Sequence, residues 1–144
     1  METSCGVVLV NYGTVLLLHY PQGYWDLPKG HVEDFDRDRK ATAARELVEE
    51  TGISAIEFID GFEEKTTYSF KKKGRLTEKQ VFWFLATTEK ITVKLSKEHR
   101  RYMWLDWDLA IDMATHDETK GTLTKAKSYA DSIGLVLVVI VSVI

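Results

Sequence analysis

Three carboxylates at helical spacing place the strongest constraint on this chain. Glu46, Glu49 and Glu50 stand at i, i+3 and i+4, so a helical backbone gathers them within about 100° of arc on one face. Like charges so placed repel by ~0.2–0.5 kcal/mol per pair. A cation among them removes that cost, and clustered hard oxygens suit Mg²⁺, with Mn²⁺ as the alternative ion. Ala44, Leu47, Val48 and Thr51 fall near the opposite side, which predicts that they pack on a core. Taken alone, such a triplet is more often a solvated surface. Its context favours a metal site: residues 25–33, Trp-Asp-Leu-Pro-Lys-Gly-His-Val-Glu, precede it at loop distance, and Gly52 is suited to end the helix.

Around that helix, roughly residues 37–51, the chain alternates strand and helix signals. Residues 5–10 and 15–19 are apolar runs separated by Asn11-Tyr12-Gly13 and predict a hairpin. Residues 56–62 and 66–70 predict two strands, 71–75 a basic turn, 81–86 a strong strand and 102–105 a short one. Residues 106–114 and 120–132 show helical spacing. Strands interleaved with helices predict an α/β fold, a mixed sheet with helices on its faces.

At 144 residues the chain fits one domain, burying about two-thirds of its unfolded surface. A net charge of −3 argues against a general nucleic-acid or anionic-membrane binder. Cys5, the one cysteine, excludes an internal disulfide framework, and its apolar neighbours predict a buried thiol. The first residues lack the positive region of a signal peptide, so the expected compartment is the cytoplasm. The domain is expected over residues 1–132, leaving an uncharged apolar tail at 133–144. As a helix that tail would reach only about 18 Å, short of the ~30 Å hydrocarbon core, so no membrane span is expected. Its β-branched residues predict a packed strand or loosely held tail; an oligomer contact and membrane association are the alternatives.

Gly30, Arg45, Glu46, Leu47, Glu49, Glu50, Gly52 and Ile53 together resemble the box of the Nudix hydrolases, G-x5-E-x7-R-E-U-x-E-E-x-G-U with U aliphatic. One position departs. Counted from Gly30 the first box glutamate falls on Asp36; counted back from Arg45 it falls on Arg37. The loop is thus one residue longer, with aspartate at best in the glutamate's place. In the family that glutamate braces the loop, while the later ones hold metal. The resemblance implies an α/β/α sandwich, with Glu46, Glu49 and Glu50 as Mg²⁺ ligands that serve to activate water, Glu49 and Glu50 carrying the catalytic weight. Lys29, His31, Lys79 and the basic turn are the candidate cations for a polyphosphate.

The resemblance extends across roughly residues 5–110, to the asymmetrical diadenosine tetraphosphate hydrolases. Residues 25–33 match their W-x-x-P-K-G-H-V-E run, and residues 95–105 their L-S-x-E-H-x-x-Y-x-W-L segment. Ile59-Asp60-Gly61-Phe62, followed by Tyr68, is also similar. This implies that Glu98 is a further metal ligand or the general base, and that Tyr68 and Tyr102 stack on an adenine ring. Trp83 and Phe84 read as core. The implied reaction is Mg²⁺-dependent attack of water on one phosphorus of a dinucleoside polyphosphate, giving ATP and AMP from diadenosine tetraphosphate. The alternatives are another Nudix pyrophosphatase, acting on a nucleoside triphosphate, a sugar nucleotide or an RNA 5′ end, and a non-catalytic polyphosphate sensor.

Overall fold

Alternate side chains of β1 (Glu2–Asn11) enter two different cores. Val8 and Val10 join one, Val7 and Leu9 the other. Strand β2 (Thr14–His19) divides in the same way, Val15 and Leu17 against Leu16 and Leu18. Strands buried on both faces read as continuous apolar runs, which is how residues 5–10 and 15–19 appear in the sequence. The computed structural model describes residues 1–135, so most of the apolar tail lies outside the described residues.

Helix α1 (Arg39–Thr51) covers one face, placing Leu47 against Val7, Leu9, Leu16 and Leu18. Helices α2 (Trp107–Met113) and α3 (Asp117–Ser132) cover the other, with Ala110, Leu123, Ala126 and Ala130 against Val8, Val10 and Leu17. Between them β3 (Trp25–Asp26), β2, β1, β6 (Arg75–Thr87) and β5 (Glu57–Lys72) lie side by side. β4 (Lys29–His31) pairs with β1, and β7 (Arg101–Asp106) pairs with β2. Only the β1–β6 pairing is parallel, so the sheet is mixed and the arrangement is the α/β/α sandwich expected.

Several local expectations change. The strands anticipated at 56–62 and 66–70 form one long β5, whose register slips between Phe58 and Glu63. A bulge interrupts pairing without ending the strand, so it looks like a gap in the pattern. The basic turn narrows to Lys73 and Gly74, both at positive φ (53° and 77°), as a two-residue hairpin requires. Helix α1 starts at Arg39, later than residue 37, because the Asp38 side chain caps it by accepting from Ala41 N at 2.8 Å. Its buried stripe is Thr42, Ala43, Leu47, Glu50 and Thr51, while Val48 is 43% exposed. The helix is rotated from the expected orientation, because Glu50 is itself drawn inward.

Strands β3 and β4 escape a sequence reading because they are two and three residues long. They nevertheless carry the site. Gly6 lets β4 lie close on β1, where a Cβ would collide with the Pro28 carbonyl and the Trp83 ring. Leu135, at the end of the described residues, is buried against the α2–α3 side. Among the described residues no helix is long and apolar enough to cross a membrane.

Candidate active site

Arg45 organises the acidic face. Its Nε donates to Asp36 Oδ1 and one Nη to Asp36 Oδ2, both at 2.9 Å, a bidentate pair. The same Nη donates to the His31 carbonyl at 2.9 Å. The other Nη reaches Glu46 Oε1 at 3.0 Å and Glu49 Oε1 at 3.1 Å, so these two carboxylates converge on one point. Asp36 also accepts from Thr42 Oγ1 at 2.8 Å and from Glu33 N at 2.9 Å, leaving the carboxylate almost fully enclosed. Counting from Gly30 therefore finds the bracing residue; Arg37 is exposed. Arg45 holds the Asp36 carboxyl far below the usual carboxylate range, and the Arg45 guanidinium is held charged in turn.

Glycine at position 30 is required by Glu46. A Cβ there would overlap the Glu46 carboxyl group, so the loop and the first carboxylate occupy adjoining space. Glu46 is half-buried, and burial followed by the charge of Glu49 pushes its pKa up. Glu49 stands at the rim, with its side chain 56% exposed. Glu50 lies deepest, 5% exposed, and burial likewise raises its pKa. Its Oε1 accepts from Lys29 N at 2.9 Å, and its Oε2 lies 3.1 Å from His99 Nε2.

Donor chemistry, charge and burial in this group fit a hard divalent cation, because ionised carboxylates are crowded where burial and mutual repulsion disfavour them. As the side chains lie, no three acidic, histidine or cysteine groups among the described residues already close on one point. Arg45 stands between Glu46 and Glu49 as their internal counter-ion.

On the opposite side of the sheet a cavity of about 560 Å³ is lined by Tyr24, Lys29, Tyr68, Lys79 and His116, with Trp83 in its wall. The Tyr24 and His116 rings stand 4.9 Å apart. Burial pushes the Tyr68 hydroxyl up to about 12, so it remains a neutral donor. Burial, then the charge of Lys29, lowers the pKa of Lys79, an unfavourable pair of cations that an anion would relieve.

Lys29 joins the two regions. Its backbone amide binds Glu50 of α1, while its ammonium sits 3.6 Å from Asp26 Oδ2 and 4.6 Å from the centre of the Tyr20 ring. Asp26 Oδ1 accepts from Thr119 Oγ1 of α3 at 2.9 Å. An unbroken chain of polar contacts thus runs from the acidic helix, through Lys29, to the helix beside the cavity.

The site residues expected from sequence do not all meet. Glu46 and Glu49 share the Arg45 guanidinium, which also binds the His31 carbonyl, while Glu50 meets the Lys29 amide and the His31 side chain is exposed. Tyr68 and Lys79 line the cavity and pair directly across the β5–β6 hairpin. Tyr102, 39% exposed, pairs with Leu18, whose side chain faces the α1 side, so it lies across the sheet from Tyr68. Glu98 is exposed in a turn, one residue before the buried His99. Of the basic stretch 71–75, Lys72 at the end of β5 pairs with Glu2 at 3.0 Å. Trp83 and Phe84 are buried as expected, although Trp83 also contributes a cavity wall. Tyr24, His99 and His116 join the site without a role expected from sequence, while Asp36 and Arg45, expected as box positions, gain the structural role of holding the loop. The L-S-x-E-H segment signalled His99 and the box signalled Arg45; Tyr24 and His116 carry no local signal.

Known proteins resemble this chain in sequence and fold. The NUDIX domain family model matches residues 2–127. The asymmetrical bis(5′-nucleosyl)-tetraphosphatase of Rattus norvegicus is 38% identical over 120 residues, covering 79% of this chain and 78% of that protein. The Caenorhabditis elegans protein of the same name is 29% identical over 115 residues, covering 80% and 82%. The crystal structure of a C. elegans Ap4A hydrolase binary complex superposes with a TM-score of 0.79 at 28% identity, over 92% of this chain and 99% of that one.

Proposed function

This chain belongs to the NUDIX family and is a Nudix hydrolase acting on a nucleotide substrate, and we propose that its substrate is a dinucleoside polyphosphate, diadenosine tetraphosphate foremost, which water cleaves to ATP and AMP. One observation carries this reading. Lys29 ties a carboxylate cluster to a cavity that offers aromatic rings and cations together, so a base and the phosphates attached to it can be held in continuous contact. The tetraphosphatase relatives support the same substrate class.

Nudix hydrolases generally use divalent metal ions; Mg²⁺ is proposed here, held by Glu46, Glu49 and Glu50, with Mn²⁺ able to replace it. When bound, such an ion neutralises phosphate charge and lowers the pKa of a coordinated water. The remaining roles belong to the protein. Arg45 and Asp36 fix the loop that carries Gly30 against Glu46. Lys29 and Lys79 bind phosphate oxygens, and Tyr68, with Tyr24 and His116, stacks on one base. His31, at the end of β4, is assigned to the more distant phosphates, and Tyr102 to contacts outside the cavity. Glu98 is assigned to the attacking water, as base or as a further ligand to the ion. Phosphoanhydride cleavage asks for little beyond this positioning and charge compensation.

Product analysis on diadenosine tetra-, tri- and pentaphosphate, beside ATP and ADP-ribose, tests the assignment. The expected pattern is a mononucleotide leaving from one end of each dinucleotide, only with divalent ion present. Preferred turnover of ATP or ADP-ribose would transfer the site to another Nudix pyrophosphatase activity, and tight binding without turnover to a sensor.

A further inference from the structure

Segment 94–99 is fastened to the end of the acidic helix more firmly than a connecting loop requires. Lys94 N donates to the Thr51 carbonyl at 2.8 Å and Ser96 N to the Glu50 carbonyl at 3.2 Å. His99 N returns to the Ser96 carbonyl at 3.2 Å, closing a tight turn around Glu98. Inside that turn the His99 side chain is fully buried, its Nδ1 3.0 Å from Ser96 Oγ and its ring packed T-shaped with Tyr20 at 4.5 Å between centres.

His99 Nε2 has one polar neighbour of consequence, Glu50 Oε2 at 3.1 Å. The contact is close without the geometry of a hydrogen bond, and among the described residues the nitrogen has no hydrogen-bond partner. Buried imidazoles rarely leave a ring nitrogen idle. A carboxylate buried as deeply as Glu50 needs a donor on each oxygen, and Lys29 N supplies only Oε1.

We propose that His99, seated by Ser96, is a positioning residue that fixes the Glu50 carboxylate for divalent-ion binding, and that the same seat holds the Glu98 turn beside α1. Resting on the metal assignment above, this adds a residue to it. Partners one step removed from a metal orient the ligands that touch it, and losing one typically costs 10–100-fold in affinity or activity. The Ser96–His99–Glu50 series has that form: Ser96 sets the ring, the ring sets one carboxylate oxygen, and Lys29 N sets the other.

The full chain carrying His99→Leu, His99→Gln or Ser96→Ala is titrated with Mn²⁺, reading free ion by electron paramagnetic resonance. kcat and KM on diadenosine tetraphosphate are measured in parallel. His99→Leu is expected to weaken Mn²⁺ binding and to lower kcat, each by roughly 10–100-fold, with KM within about twofold of the parent. His99→Gln, which restores an N–H donor near Oε2, is expected to recover most of the Mn²⁺ affinity, and Ser96→Ala to fall between. Parental Mn²⁺ affinity in His99→Leu overturns the proposal. So does equal loss in His99→Leu and His99→Gln, which reduces the ring to packing. If His99→Leu does not fold, near-parental affinity in His99→Gln with weakened affinity in Ser96→Ala supports the proposal, and parental affinity in Ser96→Ala overturns it. The Mn²⁺ measurement needs no nucleotide, so it decides the matter even if the parent leaves diadenosine tetraphosphate intact. A parent that binds no Mn²⁺ saturably overturns this proposal together with the metal assignment.

Discussion

Two carboxylates within reach of Arg45 carry opposite pH signatures. Asp36 is held far below the ordinary carboxylate pKa by its bidentate pairing with Arg45. Its contribution to stability is therefore complete above about pH 4 and is lost as pH falls towards the depressed value. Asp36→Asn is expected to lower the thermal midpoint at neutral pH, with the gap from the parent closing under stronger acid; a constant gap in calorimetry between pH 7 and 2.5 would refute this. Glu46 runs the other way. Burial and Glu49 raise its pKa, so ionising it costs the metal-free fold stability as pH rises through the carboxylate range. Glu46→Gln should raise the metal-free midpoint at pH 7 while cutting turnover by roughly 10²-fold or more. It should also abolish the stabilisation expected of the parent on adding Mg²⁺, about 2.7 kcal/mol at a hundredfold excess over Kd. A variant that melts lower and still turns over would contradict it.

At the level of elements, the loop and helix α1 act as one piece. Relative to the family box, the loop has one extra residue and a side chain shorter by one methylene, and Asp36 still meets four donors from Arg45, Thr42 and Glu33 at 2.8–2.9 Å. Length and side chain compensate each other. Asp36→Glu alone overfills this enclosed position, at a cost of about 1–3 kcal/mol. Removing Arg37 in the same protein should recover much of the loss, as a double-mutant cycle of thermal midpoints will show; independent, additive effects would remove the compensation. The sheet makes a second prediction. Tyr68 lies in the cavity and Tyr102 across the sheet from it. With base stacking worth ~1–3 kcal/mol, Tyr68→Ala is expected to raise KM by about tenfold or more and Tyr102→Ala by far less. Equal effects would mean that the base does not sit in that cavity.

For the molecule as a whole, what was legible in the sequence follows from the range of the forces involved. The acidic helix, its end at Gly52 and the twin apolar strands were visible because periodicity and capping are local. The rotation of α1 was not visible: Val48 and Glu50 exchange places because the Lys29 amide of β4 donates to one Glu50 oxygen and the buried His99 lies against the other, both far off in sequence. Asp36 and Arg37 were equally consistent with the box spacing, and only the reach of Arg45 separates them. Tyr68 and Tyr102 were alike as aromatic strand residues; their opposite faces depend on register, which one residue of slip inverts. Tyr24 and His116 meet only because α3 packs beside β3. The most direct measurement of the central claim is hydrolysis of diadenosine tetraphosphate in ¹⁸O-labelled water with Mg²⁺, products resolved by mass. The expected result is equal ATP and AMP, with label in one product and no turnover once the ion is chelated; two equivalents of ADP, or an intact substrate beside a well-folded protein, would contradict it.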